Sequence, residues 1–173
     1  MNILLSTGSP LSDTSFRYVY ENISSNLQLS SIAGGTDLIS CFALGNPMLP
    51  VYAGEIQCIG LGMDVVILSN EKEANINQKG ELACRSPFPS RPIGFWNDSD
   101  DKLYLSSYFD KLPNTWCHGD FAEITNNSGV IIHGRSDTTL NKSGVRIGTA
   151  EIYRVVDAIS EINNAVAIML EVR

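Results

Sequence analysis

The sequence is poor in histidine, in clustered basic residues and in long apolar runs, and each shortage removes a class of function. Its 173 residues carry a net charge of -7, with 18% charged residues and no block of Lys or Arg. A chain with no basic footprint cannot neutralise a phosphate backbone, so nucleic acid is excluded as the expected partner. The opening MNILLSTGSP has no basic residue ahead of its short apolar run. It falls far short of a secretory signal or a membrane span, so a cytoplasmic protein with no membrane partner is expected. Cys41, Cys58, Cys84 and Cys117 are scattered without a C-x-x-C pair, and only His118 and His133 could supply nitrogen ligands. No zinc site is expected, and the cysteines read as reduced, largely buried thiols. Adjacent Cys117 and His118 point to opposite faces of an extended segment and do not form a nucleophile and base. With no secretory signal, the N-x-S/T sequons at Asn22, Asn97, Asn126 and Asn141 read as chance matches.

What is present is an ordinary globular composition, 43% hydrophobic. The length is enough for one core, or for one core and the start of another. Residues 13 to 22 place Phe16, Val19 and Tyr20 at helical spacing behind Ser12, a good N-cap. LQLSSIA, 27 to 33, alternates like a strand and runs into a turn, Gly34-Gly35-Thr36-Asp37. EIQCIG, MDVVILS and GELACR are short strand-like runs, and residues 88 to 101 form a loop rich in proline and aspartate. GDFAEIT and GVIIHGR flank a hairpin turn at Asn126-Asn127-Ser128. Further on, Ile152, Val155, Val156 and Ile159 make a helical stripe beginning near Thr149. AVAIMLEVR follows as a strand, with Val166, Ile168, Leu170 and Val172 on one face. The pattern predicts a mixed α/β (α+β) chain without internal repeats. Residue 137 is the natural boundary, because β-rich sequence occupies 1–136 and an αβ unit begins in 137–173.

Three clusters could carry chemistry. Gly34-Gly35-Thr36-Asp37 offers backbone N–H groups, a hydroxyl for a phosphate oxygen and a carboxylate for Mg²⁺; a plain strand-to-loop turn would look the same. In His118-Gly119-Asp120 the carboxylate beside a glycine suits the two hydroxyls of a ribose, and equally suits a turn aspartate bonding backbone amides. In HGRSDTTLNKSGVRIGTAEI, Arg135 and Arg146 flank a run too glycine-rich and polar for core. Two guanidiniums there suit a phosphate or ribose, and equally a solvated linker with surface ion pairs.

In their order, GSPLS, SIAGGTD, LGNPMLPVYAGEIQCIGLGM, KGELACRSPFPSRPIGFWND, HGDFAEIT and GRSDTTLNKSGVRIGTAEIYR cover nearly the whole chain. Their succession resembles the adenylate-forming superfamily of acyl-CoA synthetases, and within it the acetoacetate-activating branch. The resemblance implies the later part of the large AMP-binding domain, with its β-barrel-like subdomain, over 1–136. It implies a hinge at Asp137 and the first elements of the mobile C-terminal domain over 137–173. The substrates implied are acetoacetate, ATP and coenzyme A, with AMP and pyrophosphate as products and Mg²⁺ as cofactor.

By matching position, Gly8, Ser9, Pro10 and the backbone of Ser31 to Gly35 would line the adenine pocket. Thr36 would contact the α-phosphate. Asp37 stands where most relatives place a glutamate near Mg²⁺. Asp120 would take the ribose hydroxyls, Arg135 the ribose or phosphate side and Arg146 the phosphate, while Ser143 and Gly144 would border the pantetheine channel. Thr36, Asp37 and Arg146 are thus the expected catalytic residues. Acetyl-CoA synthetases carry tryptophan at the position of Gly34, which implies that glycine enlarges the acyl pocket. Family members also carry a phosphate loop upstream of the matched segment and a catalytic lysine downstream of it. The chain is therefore expected to be a partial enzyme, with little adenylation by itself and the remainder of the enzyme as its partner.

Overall fold

The computed structural model describes residues 2–137, 140–142 and 145–168, with the backbone alone at 140–142 and 145–146. It opens with a βαβ unit. Strand β1 (Ile3–Ser6) and strand β2 (Gln28–Ser31) pair in parallel, joined by helix α1 (Asp13–Asn22). Ser12 caps that helix by accepting the Ser15 N–H at 3.3 Å, satisfying one of the first-turn donors. The apolar face of α1 sets Phe16 and Val19 against Leu27 and Leu29. Ile3 and Leu5 on β1 face solvent.

The strand expected over 27–33 divides at Ile32 because its two halves have different partners. β2 stays with β1, whereas strand β3 (Ala33–Gly35) leaves to pair with strand β4 (Ser40–Leu44), which also pairs with strand β5 (Cys58–Ile59). The two glycines therefore lie in a strand, and the turn falls one step later, where the Ile39 N–H reaches the Thr36 carbonyl.

The largest sheet is five-stranded and antiparallel. It comprises β6 (Val65–Ser69), β7 (Lys72–Glu73), β8 (Gly80–Cys84), β9 (Trp116–Ile124) and β10 (Val130–Arg135), in the order β10-β9-β8-β6-β7. The expected hairpin at 126–128 joins β9 to β10, with Val130 opposite Ile124 and Arg135 opposite Asp120. EIQCIG is shared between sheets: Ile56 bridges to Val130, while Cys58 and Ile59 join β4. Between them buried Gln57 donates to the carbonyls of Asn46, Leu49 and Pro50, which ties down the NPMLP loop.

Helix α2 (Lys102–Tyr108) lies where no regular element was expected. Its first turn is held from the preceding loop, since the Asp98 carboxylate accepts from the N–H groups of Leu103 (3.1 Å) and Tyr104 (2.8 Å). Past residue 137, β11 (Leu140–Lys142) pairs with β12 (Val145–Ile147), and helix α3 (Thr149–Val156) follows. Glu151 reaches back to the Gly148 N–H at 3.0 Å, the reciprocal half of a capping box. The helix lies against β10 so closely that a Cβ at Gly148 would stand 2.2 Å from the His133 carbonyl oxygen. Residues 165–168 form no strand, and 169–173 lie outside the described residues. Among the described residues no helix is long and apolar enough to cross a membrane.

The main core lies between the small and large sheets, centred on Phe42, Leu82, Phe88, Trp116 and Val130. Phe42 is wholly buried and meets Phe88, Trp116 and His118 edge-on, with ring centroids 5.3, 6.4 and 5.0 Å away. Phe42→Ala is expected to cost about 3–5 kcal/mol, combining lost transfer energy with an unfilled cavity. Denaturant unfolding measures this, and a loss under about 1 kcal/mol would show that the two sheets are not held together here.

Candidate functional site

Four distant segments meet around one cavity of about 550 Å³. The loop after β1 brings Gly8, Ser9 and Pro10; β2 and β3 bring Ser31 to Gly35, with Thr36 just beyond; β9 brings Asp120; and the end of β10 brings Arg135. These are residues that sequence reading had assigned to a nucleotide pocket. Glu55, Ile56, Cys41 and Ile132 also line the cavity, and that reading had missed them. Glu55 is held by the Thr125 hydroxyl (2.8 Å) and the Asn127 amide (3.1 Å) of the β9–β10 turn. That contact has no local sequence signal.

β9 builds the floor. Trp116, buried, donates its indole N–H to Nδ1 of His118 at 3.3 Å, which leaves the imidazole proton on Nε2. On that side Nε2 lies 3.7 Å from Asp120 Oδ2, and the Gly34 backbone also hydrogen-bonds the ring. An imidazolium would set one N–H against another at Nδ1. Burial first, and then Arg135, hold the His118 pKa below its usual value against the opposing pull of Asp120. Cys117, on the same strand, is also buried. Burial raises its thiol pKa, as it does for Cys41 and Cys84, which favours the protonated thiol at all three.

Asp120 has a side chain only 13% exposed, and burial raises its pKa while His118 and Arg135 pull it back down. Arg135 donates to the His118 carbonyl at 3.1 Å and to Asp120 Oδ1 at 3.4 Å. It also lies 3.4 Å from Asp137 Oδ1, so one guanidinium joins the ribose-site candidate to the expected hinge residue. The result is a carboxylate kept acceptor-rich inside a mostly enclosed wall, with a planar cation beside it. This pairing suits a vicinal diol next to an anion.

Asp37 sits at the margin, exposed, one residue past cavity-lining Thr36. Its Oδ2 accepts the hydroxyl of Tyr108 from α2. Among the described residues no three His, Cys, Asp or Glu side chains gather as a metal cage. A single carboxylate fits Mg²⁺ all the same, because that ion is commonly held by one or two carboxylates together with substrate phosphates and water. Arg146 is described by its backbone alone, opposite Asn141 in the β11–β12 hairpin. Ser143 and Gly144 lie outside the described residues.

Gly34 lines the cavity, but its missing side chain does not point there. A Cβ would stand 2.2 Å from the Ser40 carbonyl oxygen and 2.8 Å from Cys41 Cα, where the β3–β4 ladder is bulged. The glycine is demanded by backbone approach, and an indole at this position requires β4 to move before any pocket closes. Gly34→Ala is expected to lower stability by about 1–3 kcal/mol, the usual cost of overpacking. An unchanged denaturant midpoint would show that β4 yields freely.

No family model matches the chain. The structure superposes on acetoacetyl-CoA synthetase from Streptomyces lividans with a TM-score of 0.85 and 42% identity, covering 94% of this chain and 25% of that one. It superposes on an anthranilate CoA ligase in complex with anthranoyl-AMP with a TM-score of 0.73 at 16% identity, covering 91% of this chain and 29% of the other. The architecture is therefore that of the adenylate-forming CoA ligases. Among curated proteins, the chain is 54% identical over 168 residues to acetoacetyl-coenzyme A synthetase of Rhizobium meliloti, covering 97% of this chain and 26% of that protein. It is 46% identical over 169 residues to acetoacetyl-CoA synthetase of Xenopus tropicalis, covering 97% and 25%. Over nearly its whole length the chain is thus similar to acetoacetyl-CoA synthetases, and it spans about a quarter of the length of the curated relatives it matches.

The two buried histidines set a pH dependence. His133 puts Nε2 3.0 Å from Glu123, and its Nδ1 is buried with no partner among the described residues. Burial and Lys79 lower its pKa. With folded-state pKa values below the unfolded value of about 6.5, both groups contribute stability that is fully present above that pH. It is lost as pH falls, because the unfolded chain takes up protons that the folded chain refuses. Asp120, with its raised pKa, acts oppositely at lower pH and slows the later loss. The denaturant midpoint is expected to fall between pH 7 and pH 5.5, with a shallower slope in His133→Gln. Equal midpoints would contradict this assignment.

Proposed function

We propose that this chain is the part of an acetoacetate-CoA ligase that holds the nucleotide and carries the hinge. The observation that supports the reading is the convergence of Gly8, Ser9, Pro10, Gly34, Gly35, Thr36, Asp120 and Arg135 on one cavity, in a chain similar to these synthetases. The reaction runs in two steps. A carboxylate oxygen of acetoacetate attacks the α-phosphorus of ATP and pyrophosphate leaves; the thiol of coenzyme A then attacks the acyl carbon and AMP leaves.

In this reading the adenine lies against Gly8 to Pro10 and the backbone of β2 and β3. Asp120 accepts both ribose hydroxyls, each charge-assisted bond contributing roughly 1.5–3 kcal/mol. Arg135 lies beside the ribose, Thr36 donates to the α-phosphate, and Arg146 serves the phosphates. Mg²⁺, held through Asp37, would neutralise charge building on the phosphate oxygens. Ser143 and Gly144 border the path of the pantetheine arm. Residues 1–136 form the end of the AMP-binding domain, and Asp137 is the pivot about which 137–173 begins a mobile domain.

The test is a graft. This segment replaces its 168-residue counterpart in the Rhizobium meliloti protein, and acetoacetate-dependent ATP–pyrophosphate exchange is measured. The graft is expected to exchange, with Asp120→Ala reducing kcat/KM by about 10²-fold or more through two lost charge-assisted bonds. A folded graft that exchanges better with another short carboxylate, or that only binds AMP, overturns the reading.

A further inference from the structure

α2, the element that sequence reading did not expect, brings a residue to the edge of the site. Tyr108 stacks face to face on Trp116, with ring centroids 3.6 Å apart and planes 14° apart. Phe95 and Tyr104 close on the Tyr108 ring edge-on, at 6.0 and 6.1 Å. The ring therefore has little freedom, and its hydroxyl emerges where Oδ2 of Asp37 accepts it. Asp37 itself sits on an exposed turn, where nothing on its own strand would fix its rotamer. Oδ1 has no partner among the described residues and is the oxygen left for a ligand. Trp116, beneath Tyr108, donates to His118, which lies beside Asp120.

We propose that Tyr108 is a positioning residue for the adenylation step, fixing the Asp37 carboxylate beside Thr36 and setting its distance from Asp120 through the Trp116–His118 pair. The inference rests on the ligase reading above. Asp37 is one carbon shorter than the glutamate that the family resemblance would place there, and a donor arriving from α2 supplies the restraint that a short side chain on an exposed turn lacks. The groups that face the Tyr108 hydroxyl are Asp37, Arg135 and Tyr104.

Two measurements test this, one of them independent of activity. In denaturant unfolding of the 173-residue chain, Tyr108→Phe and Asp37→Ala should each lower the midpoint, and the double variant should lose no more than the larger single loss, because both remove the same hydrogen bond. Losses that add in full overturn the pairing, whatever the graft does. In the graft, Tyr108→Phe keeps the stack on Trp116 and loses only the hydroxyl. The Mg²⁺ concentration for half-maximal exchange should rise about tenfold, the scale of one charge-assisted bond, with kcat recovered at saturating Mg²⁺. In an Asp37→Asn background the same substitution should add nothing. Additive losses, or a fall in kcat that Mg²⁺ does not restore, would mean that Tyr108 serves only packing. If the unsubstituted graft fails to exchange with acetoacetate, the ligase reading fails while the unfolding cycle still decides the Tyr108–Asp37 pairing.

Discussion

One buried indole organises this molecule. Trp116 is 1% exposed and touches Phe42, Phe88, Tyr104, Tyr108 and Phe109, so the small sheet, the loop, α2 and β9 all meet on it. Each such aromatic pair contributes roughly 0.5–1.5 kcal/mol beyond the area it buries. Exposed ion pairs such as Lys102–Asp100, by contrast, are screened by solvent and add little. The ring's only polar atom is spent on His118, and that choice has consequences. It fixes the imidazole tautomer, turns Nε2 toward Asp120, and makes the floor of the cavity a continuation of the core.

Burial of polar groups in the site follows from the same arrangement. Asp120 can be kept from water because Arg135 and His118 lie beside it, and Arg135 can lie there because Gly119 has no side chain to obstruct it. Desolvating a carboxylate is costly unless it is paired, and the pairing here is loose: 3.4 Å to Arg135 and 3.7 Å to His118. A carboxylate so placed gains from donors that a ligand brings. The cavity is thus preorganised for hydroxyls more than for another cation.

The sequence revealed whatever local chemistry dictates. Ser12 as a cap, the stripe of Phe16 and Val19, the Asn126 to Ser128 turn and the helix from Thr149 are all set by residues within a few positions of one another, and all appear. The convergence of Gly8, Asp120 and Arg135 was legible only from the order of motifs, since periodicity says nothing about which strands meet. What stayed hidden was decided at a distance. α2 has exposed leucines at 103 and 105 and buries one tyrosine, so its apolar face is too narrow to read as a stripe; Asp98 and the Trp116 surface make it a helix. The division at Ile32 follows from two competing partners. The need for Gly34 arises from a carbonyl six residues on, across a bulged ladder.

The same reasoning bears on how residues beyond 137 are attached. α3 meets β10 through the backbone approach of Gly148 to His133 and the 2.8 Å Lys79–Glu151 pair, both side chains about a third exposed. Glu151 also caps its own helix, so Lys79 and the Gly148 N–H share one carboxylate. The ion pair is half screened and adds little, while buried Ala150 and the close approach of Thr149 to Gly134 add packing beside it. Asp137 adds a link of the same weakness, an exposed carboxylate 3.4 Å from the Arg135 guanidinium. A rotation about residue 137, as proposed, would have to release these contacts together. It would also return the whole of Arg135 to the cavity side, where Asp120 waits. In the proposed reading, the shared Arg135 would link the docked segment to the cavity, so that docking and swinging both pass through one guanidinium.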